Sequence, residues 1–274
     1  MSNGVLCFAH NNGKVDYLRQ AEILAQRVKK HLDLPTTLVT STASELQNVG
    51  LFDKVIEIED NNSNYKRYYN GTLHHQQLQF KNNDRVKSYD LSPYESTLVL
   101  DTDYVICNNS LKHAFDSKND FQIYKHGVDL CEWRKHDEFS FINNTGIPFY
   151  WATCFCFKKT NETKIFFDLL QHLVKNWNHY EQVYDIGSRN FRNDHVFSIA
   201  IHMMNGFTDS DWAKTLPGTM FYTLDRDFIK TIKDNSLTFL LQKEKYNGEY
   251  ILASTKDCNV HVMNKFSLGE LING

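Results

Sequence analysis

Long apolar runs are missing from this sequence, since no stretch approaches the roughly 20 residues that cross a bilayer. Residues 1–13, MSNGVLCFAHNNG, also lack the basic, apolar and small-residue regions of a signal peptide. Lysine and arginine are not in excess, because the formal net charge is -3, so the electrostatic footprint of a nucleic-acid-binding protein is missing. We therefore expect a cytoplasmic protein without a membrane span.

Cysteine motifs are absent as well. The six cysteines include no CxxC pair of a zinc knuckle or a redox centre, and most of them lie inside apolar runs. These neighbours favour buried free thiols. Because 41% of the 274 residues are hydrophobic, the chain can bury a large core, and we expect an ordinary globular protein.

The first forty residues have the pattern of a βαβ unit. Residues 5–9 form a continuous apolar run, which is typical of a strand buried on both faces. From residue 17 to 32, apolar residues recur at three- and four-residue intervals, which predicts an amphipathic helix that ends before Pro35. The β-branched run at residues 37–40 predicts the second strand.

Strand and helix patterns continue along the chain. Residues 54–58 predict a third strand, and the polar, tyrosine-rich stretch 60–83 suits a long mobile loop with a short helix. Further runs predict two strands and two helices, at residues 97–100, 150–157, 164–177 and 195–204. Because no repeat or proline-rich linker divides the sequence, we expect a single α/β domain over residues 1–274.

Two carboxylates follow the predicted strand at residues 97–100. Asp101 and Asp103 stand two positions apart at its carboxyl end, where ligands bind in open α/β sheets. Carboxylate oxygens suit a hard divalent cation such as Mg²⁺ or Mn²⁺, which can neutralise a pyrophosphate. Taken alone the pattern is weak, because aspartates are common in turns after strands.

The surrounding segment strengthens the interpretation. Residues 87–103, KSYDLSPYESTLVLDTD, closely resemble the K…LSP[YF]xxTL[YV]LDxD segment of GT-A-type glycosyltransferases, in the nucleotide-diphospho-sugar transferase superfamily. YLRQA at residues 17–21 and LPTTLVT at residues 34–40 are similar to that family's first helix and second strand. Partial matches follow at residues 193–197 and 261–265.

The resemblance implies a fold. It is a single GT-A (Rossmann-like) domain of the α/β class, with a mixed, mostly parallel central sheet flanked by helices. Residues 1–110 would form the nucleotide-binding half. Residues 111–274 would form the acceptor and donor-sugar half.

The resemblance also implies where a nucleotide-diphosphate sugar, with UDP as the expected nucleotide, would bind. Its base would lie near Phe8, Ala9 and His10. Lys87 matches the family's basic position, so it would contact a phosphate or the base, although a lone lysine among polar residues is usually solvated.

The metal site implied by the resemblance joins two distant parts of the sequence. Asp101, Thr102 and Asp103 match the family's metal-binding tripeptide, so Asp101 and Asp103 would hold Mn²⁺ or Mg²⁺ and contact the nucleotide sugar. A late histidine motif selects His261 as another metal ligand and Lys265 as a contact to the departing diphosphate. Taken without the resemblance, the sequence favours a core or surface histidine at His261, beside two valines, over a metal ligand.

Asp194 is the candidate general base. Residues 193–194 precede an apolar helix, where such side chains most often act as caps. In the family this position lies beside the acceptor and the transferred sugar, and an inverting enzyme needs a carboxylate base there, so the resemblance selects Asp194. Residues 150–153, YWAT, stand where relatives often have Asn-x-Gly, and the mismatch leaves the donor sugar open.

These patterns predict a metal-dependent glycosyltransferase that moves a sugar from a nucleotide-diphosphate sugar to a glycan, protein or modified-DNA acceptor. Two alternatives stay open. One is a sugar nucleotidyltransferase, although residues 8–13, FAHNNG, lack the glycine- and arginine-rich phosphate loop typical of that class. The other is a nucleotide-sugar-binding protein of the same fold without turnover, which the missing Asn-x-Gly favours.

Overall fold

The computed structural model describes residues 2–60, 66–70, 75–79, 81–134, 139–144, 146–187, 191–244 and 248–273. The strands are β1 (Asn3–Phe8), β2 (Thr36–Thr40), β3 (Lys54–Glu57), β4 (Lys66–Asn70), β5 (His75–Gln79), β6 (Ser96–Leu100), β7 (Tyr104–Val105), β8 (Phe121–Tyr124), β9 (Gly127–Asp129), β10 (Trp151–Lys158), β11 (Met220–Thr223), β12 (Phe228–Lys233), β13 (Ser236–Gln242), β14 (Tyr250–Lys256) and β15 (Val260–Val262). The α-helices are α1 (Tyr17–His31), α2 (Ser88–Leu91), α3 (Asn161–Lys175), α4 (Trp177–Val183), α5 (Asn193–Met204) and α6 (Lys265–Asn273). Short 3₁₀ helices cover Ala43–Glu45, Val49–Leu51, Asn82–Lys87 and Ser110–Asp116.

Six strands form the central sheet, in the order β3-β2-β1-β6-β10-β8. β3, β2, β1 and β6 pair in parallel, and β10 runs antiparallel to both of its neighbours. Every residue of β2 and β6 is buried, as expected for strands that are covered on both faces. The predicted fold class, a mixed and mostly parallel sheet flanked by helices, is therefore confirmed.

Helix α1 joins β1 to β2 and buries one face. It begins after Asp16, whose side chain accepts a hydrogen bond from the Arg19 backbone N–H and caps the first turn. Leu18, Ala21 and Val28 lie on the buried face. Burying a side chain such as Leu18 contributes about 1.5–3 kcal/mol, so the apolar face stabilises this helix more than intrinsic propensity does. The predicted βαβ opening is confirmed.

The strand and the two helices predicted in the second half are also present, as β10, α3 and α5. Thr160 and Thr163 exchange hydrogen bonds in a capping box at the start of α3. Phe197 of α5 packs against Phe155 of β10, with ring centroids 4.9 Å apart, and against Phe166 of α3 at 5.9 Å. An aromatic cluster thus fastens both helices to the sheet.

The prediction for residues 60–83 was wrong in part. β4 and β5 pair antiparallel within this stretch, and a 3₁₀ helix begins at residue 82. Strand pairing depends on backbone hydrogen bonds and neighbours, so polar composition alone did not indicate it. Residues 61–65, 71–74 and 80 of the predicted loop lie outside the described residues.

Two smaller sheets, formed mostly by strands of the second half, were not predicted. One has the order β7-β15-β11-β9, and the other is the antiparallel β12-β13-β14. Val105, Leu237, Phe239 and Val260 belong to a second apolar cluster that these strands share. Within the described ranges, no helix is both long and apolar enough to cross a membrane. The single-domain organisation and its two halves stay predictions.

Candidate active site

A cavity lies where β1 and β6 end, at the edge of the sheet where ligands bind in α/β folds. The predicted site residues that line it are Phe8, His10, Asp101, Thr102, Asp194, His261 and Lys265. Its other lining residues include Asn12, Tyr17, Lys81, Asn82, Arg85, Thr153, Phe191, Arg192, Asn193 and Met263. Its volume is about 90 Å³.

Asp101, Asp103 and His261 form a cluster in which one ligand atom from each residue lies within 4.8 Å of the others. Two carboxylate oxygens and one imidazole nitrogen are a donor set that suits a divalent cation. The cluster joins the end of β6 to β15, as the two sequence motifs predicted. Asp103 and His261 are buried and Asp101 is partly exposed. An ion bound by all three could therefore be held firmly and still contact a molecule in the cavity.

Asp103 is fully buried and has two different environments for its two oxygens. Oδ2 accepts a hydrogen bond from Lys265 Nζ at 2.5 Å. Oδ1 lies 3.4 Å from His261 Nε2 and has no hydrogen-bond partner in the described part of the chain. Burial acts to raise the pKa of Asp103, but the charges of Lys265 and His261 outweigh it and hold that pKa well below its usual range. An ionised oxygen that accepts no hydrogen bond fits a metal ligand.

Asp101 accepts more hydrogen bonds than Asp103 does. Arg85 donates to both carboxylate oxygens, through Nη1 to Oδ2 at 3.2 Å and through Nη2 to Oδ1. Thr153 Oγ1 donates to Oδ2 at 2.7 Å, and the Asn82 amide donates to Oδ1 at 3.4 Å. A bidentate guanidinium fixes the plane of a carboxylate, so Asp101 is held in one orientation.

Strand pairing explains why residues from the two motifs meet. β7 begins directly after Asp103 and pairs antiparallel with β15, so His261 stands opposite Tyr104. The Val262 backbone N–H also donates to the Asp103 carbonyl at 2.9 Å. Helix α6 then begins at Lys265, which places its ammonium group beside the Asp103 side chain.

Thr102, between the two aspartates, links the cluster to α1. Its hydroxyl donates to Gln20 Oε1 at 3.3 Å, and the Gln20 amide donates to the Lys265 carbonyl at 3.2 Å. Gln20 is 1% exposed, so this bridge is a fixed part of the interior. The Asp-Thr-Asp turn and the start of α6 are therefore tied to the same buried side chain.

Lys87 does not line the cavity, and Arg85 is found there instead. Lys87 and Asp84 share one face of the 3₁₀ helix, and the ammonium lies 2.6 Å from Asp84 Oδ1. Two residues correspond to two thirds of a 3₁₀ turn, so Arg85 points in a different direction from Lys87. Its side chain is 2% exposed and faces Asp101. The sequence did contain a signal for Arg85, because it is a second basic residue close to Lys87. The family resemblance matched only Lys87.

Of the residues predicted near the base, Phe8 and His10 line the cavity, while Ala9 is buried behind them and donates its N–H to Val39. The Ser41 backbone N–H donates to His10 Nδ1 at 3.2 Å, which leaves the ring proton on Nε2. That Nε2 is buried without a hydrogen-bond partner among the described residues. Burial lowers the pKa of His10, so its neutral ring presents a donor.

Asp194 lines the cavity in the first turn of α5, but both of its oxygens are used. Oδ1 accepts from the Ala152 N–H at 2.9 Å, and Oδ2 accepts from Arg192 Nε at 3.0 Å. Burial acts to raise its pKa, and Arg192, His195 and the Ala152 N–H outweigh burial and lower it. A carboxylate with a lowered pKa and two fixed donors is a weak base, so this geometry favours a positioning role. General-base catalysis by Asp194 stays a prediction.

No protein-family model matches the sequence, and no curated protein matches it. The chain resembles solved structures of glycosyltransferases. One is glycosyltransferase GlyE of Streptococcus pneumoniae TIGR4, at 14% identity and TM-score 0.44, with 79% of this chain covering 45% of that one. Another is galactosyltransferase LgtC in complex with donor and acceptor sugar analogs, at 13% identity and TM-score 0.46, with 77% of this chain covering 72% of that one. Likenesses this distant do not bear on the reaction.

Proposed function

We propose that the protein is a metal-dependent glycosyltransferase that moves a sugar from a UDP-linked or related nucleotide-diphosphate sugar to an acceptor. The observation that carries this proposal is the Asp101, Asp103 and His261 cluster at the end of β6, with Lys265 beside it. Three potential metal ligands and a lysine at the carboxyl edge of an α/β sheet form a site for a metal-bound diphosphate. The cluster combines both motifs of the family resemblance.

Asp103 and His261 are the principal metal ligands in this proposal. Asp103 Oδ1 has no hydrogen-bond partner among the described residues, whereas both oxygens of Asp101 accept hydrogen bonds. Asp101 therefore acts as a fixed, weaker ligand or as a contact to the nucleotide. When bound, Mn²⁺ or Mg²⁺ supplies positive charge that stabilises the diphosphate leaving group. The imidazole favours Mn²⁺ over the harder Mg²⁺.

Lys265 supplies the second positive charge. Its ammonium is held by Asp103 and lies 5.6 Å from the Tyr17 ring centroid, so it stays at the cavity wall. A diphosphate in the cavity would meet this ammonium from the side of α6. Positive charge fixed before the reaction needs no reorganisation as the sugar–phosphate bond breaks.

The cavity's size matches part of the donor. A volume of about 90 Å³ is below the 300–1,000 Å³ of pockets that bury whole small molecules. The enclosed space suits the metal and the diphosphate, and the rest of the donor would extend beyond it. At one end, the His10 Nε2 donor is available to a carbonyl oxygen of the base.

The test is a nucleotide-sugar panel with release of nucleoside diphosphate as the readout. UDP- and GDP-sugars are each incubated with Mn²⁺, with Mg²⁺ and with EDTA. We expect release from at least one donor with divalent metal and none with EDTA. Release that is equally fast in EDTA would contradict the proposed metal dependence.

A second candidate, donor binding without turnover, is favoured by the geometry of Asp194, because its two fixed hydrogen bonds leave it a weak base. Calorimetry separates it from the first. Metal-dependent binding of UDP, together with no release from any donor and any added acceptor, would establish a binding protein instead of an enzyme.

A further inference from the structure

Cys107 follows β7, and Cys258 precedes the partner strand β15. In this antiparallel pair the register places Val105 opposite Val260. Two residues beyond that pair, the same register brings Cys107 opposite Cys258. Both side chains belong to the second apolar cluster, in which Cys107 is buried and Cys258 is half-buried. The fold therefore brings together two free cysteines that are far apart in the sequence.

Hydrogen bonds hold the two segments together beyond the last strand pair. Asn259 Oδ1 accepts from the backbone N–H groups of Cys107 and Asn108, at 2.8 and 3.0 Å. The Asn108 amide donates to the Asp257 carbonyl at 2.6 Å. Directly opposed residues of antiparallel strands have Cα atoms roughly 4.5–5.5 Å apart, which lies within the roughly 4.4–6.8 Å range of disulfides. The register therefore suits a disulfide between Cys107 and Cys258.

The other four cysteines, which also lie in the described ranges, have different neighbours. Three of them stand opposite leucines of β6, namely Cys7, Cys154 and Cys156. Cys131 is buried in the same apolar cluster as Cys107, but its Sγ donates to the Gln242 carbonyl at 3.5 Å. A cross-strand position thus distinguishes Cys107 and Cys258 and makes Cys131 a matched control.

The two thiols differ in access and in charge environment. Cys258 is half-buried, and its Sγ donates a weak hydrogen bond to the Lys256 carbonyl at 3.3 Å. Arg27 Nη2 donates to the buried Cys107 Sγ at 3.1 Å. Burial raises the pKa of Cys107, the Arg27 charge opposes that rise, and a charge on the neighbouring Cys258 adds to it. An oxidant therefore reaches Cys258 first, and Cys107 follows as the second thiol, with a guanidinium beside it that stabilises a thiolate.

The same ladder carries two residues of the metal cluster. Asp103 directly precedes β7, and His261 lies in β15. The Val262 backbone N–H donates to the Asp103 carbonyl at 2.9 Å, at the other end of the ladder from the cysteines. A bond between Cys107 and Cys258 would remove conformations in which the two strands separate. It would therefore fasten the part of the fold that brings the two motifs together.

We propose that Cys107 and Cys258 form a site of reversible oxidation, whose disulfide fastens β7 to β15. The chemistry is thiol–disulfide exchange with a small-molecule disulfide such as oxidised glutathione. The Cys258 thiolate attacks that disulfide and releases one thiol. The Cys107 thiolate then attacks the Cys258 sulfur of the mixed disulfide and releases the second thiol. Two protein thiols are oxidised, the small disulfide is reduced to two thiols, and these take up the two protons.

Peptide mapping tests whether the disulfide forms. Native protein is incubated with oxidised glutathione, its free thiols are blocked with N-ethylmaleimide, and it is digested with trypsin without reduction. Trypsin places the two cysteines in peptides 88–112 and 257–265, each of which contains one cysteine. We expect these peptides to be linked in the wild type and in Cys131→Ser, and to separate on addition of dithiothreitol. Unlinked peptides, or a glutathione adduct that persists on Cys258, would overturn the proposal.

Hydrogen exchange of the Val262 backbone N–H tests the fastening. We expect this exchange to be about tenfold slower in the oxidised wild type than in the reduced wild type, because it requires the ladder to open. Cys131→Ser should behave like the wild type, and Cys258→Ser should keep the reduced rate under both conditions. Thermal unfolding midpoints verify that both variants are folded. Equal exchange in the oxidised and reduced wild type would overturn the fastening role.

The proposed oxidation site and the proposed glycosyl transfer fail separately. Both experiments are performed without nucleotide and metal, so a protein that turns over no nucleotide sugar can still form the disulfide. An active transferase can equally show unlinked peptides.

Discussion

The two carboxylates of the Asp-Thr-Asp turn stand two residues apart but lie in different regions of the fold. Asp101 is held by Asn82 and Arg85, which precede it, and by Thr153 of β10. Asp103 is held by residues from the C-terminal end of the chain, and one of its oxygens has no hydrogen-bond partner among the described residues. The comparison shows that two carboxylates of one motif can have different roles. One is fixed in place by hydrogen bonds, and the other is available to a cation.

The largest expected effect separates the two aspartates directly. Asp103→Asn should lower metal-dependent release of nucleoside diphosphate by about a thousandfold, because it removes the available ionised ligand. Asp101→Asn should lower it by about ten- to a hundredfold, since the amide keeps part of the hydrogen bonding. Steady-state rates measure both, with the exposed Asp209→Asn as control. Equal losses of activity in the two variants would show that the two aspartates do not have different roles.

The next prediction concerns the support of Asp101. Arg85→Met should reduce the free energy of unfolding by about 2–4 kcal/mol, because it leaves a mostly buried carboxylate without its charged partner. Lys29→Met is the control, since Lys29 pairs with Asp33 and the two side chains are 76% and 72% exposed. Its loss should be much smaller, because solvent screens an exposed ion pair. Urea denaturation measures the free energy of unfolding of both variants. Equal losses would show that the Arg85–Asp101 pair stabilises the fold no more than an exposed ion pair does.

His261 tests the opposite side of the comparison. His261→Gln should raise the Mn²⁺ concentration needed for half-maximal activity by about ten- to a hundredfold, with activity recovered at high metal concentration. The ring lies beside Tyr104 and Trp151, so a thermal unfolding curve must accompany the titration. An unchanged metal requirement in a folded variant would exclude His261 as a ligand.

Asp194 is expected to matter less than either aspartate of the motif. Since its oxygens are fixed by Ala152 and Arg192, Asp194→Asn should reduce kcat by about tenfold or less and leave the pH–rate profile unchanged. A loss of more than a hundredfold, together with loss of one limb of the profile, would instead establish the general base that the sequence predicted.

The smallest effect is a pH dependence that arises away from both aspartates. The pKa of His195 is lowered from 6.5 to about 4 by burial, so the unfolded state binds this proton more tightly. Stability should therefore fall by about 1–2 kcal/mol as pH drops from 7 to 5. His195→Gln should remove this part of the slope, because Asp103 stays ionised throughout that window. Denaturation at pH 5, 6 and 7 measures how stability changes with pH. If the variant loses as much stability as the wild type, another group is responsible for the pH dependence.

The elements that the sequence predicted well are those with local signals. The apolar run of β6 and the amphipathic periods of α1 and α3 each depend on neighbours in sequence. The antiparallel sheets β12-β13-β14 and β4-β5 had no comparable signal. Arg85 was missed for a different reason: the resemblance named Lys87, and only the turn of the 3₁₀ helix decides which of two basic residues faces Asp101.

The central claim is that Asp103 and His261 hold a divalent cation, and Mn²⁺ binding measured by electron paramagnetic resonance tests it most directly. Free Mn²⁺ is titrated with protein in the presence of UDP, for the wild type, Asp103→Asn and the Asp209→Asn control. We predict that the wild type and the control remove Mn²⁺ from solution equally well, and that Asp103→Asn binds it at least about a hundredfold more weakly. Equal binding by Asp103→Asn and the wild type would contradict the account.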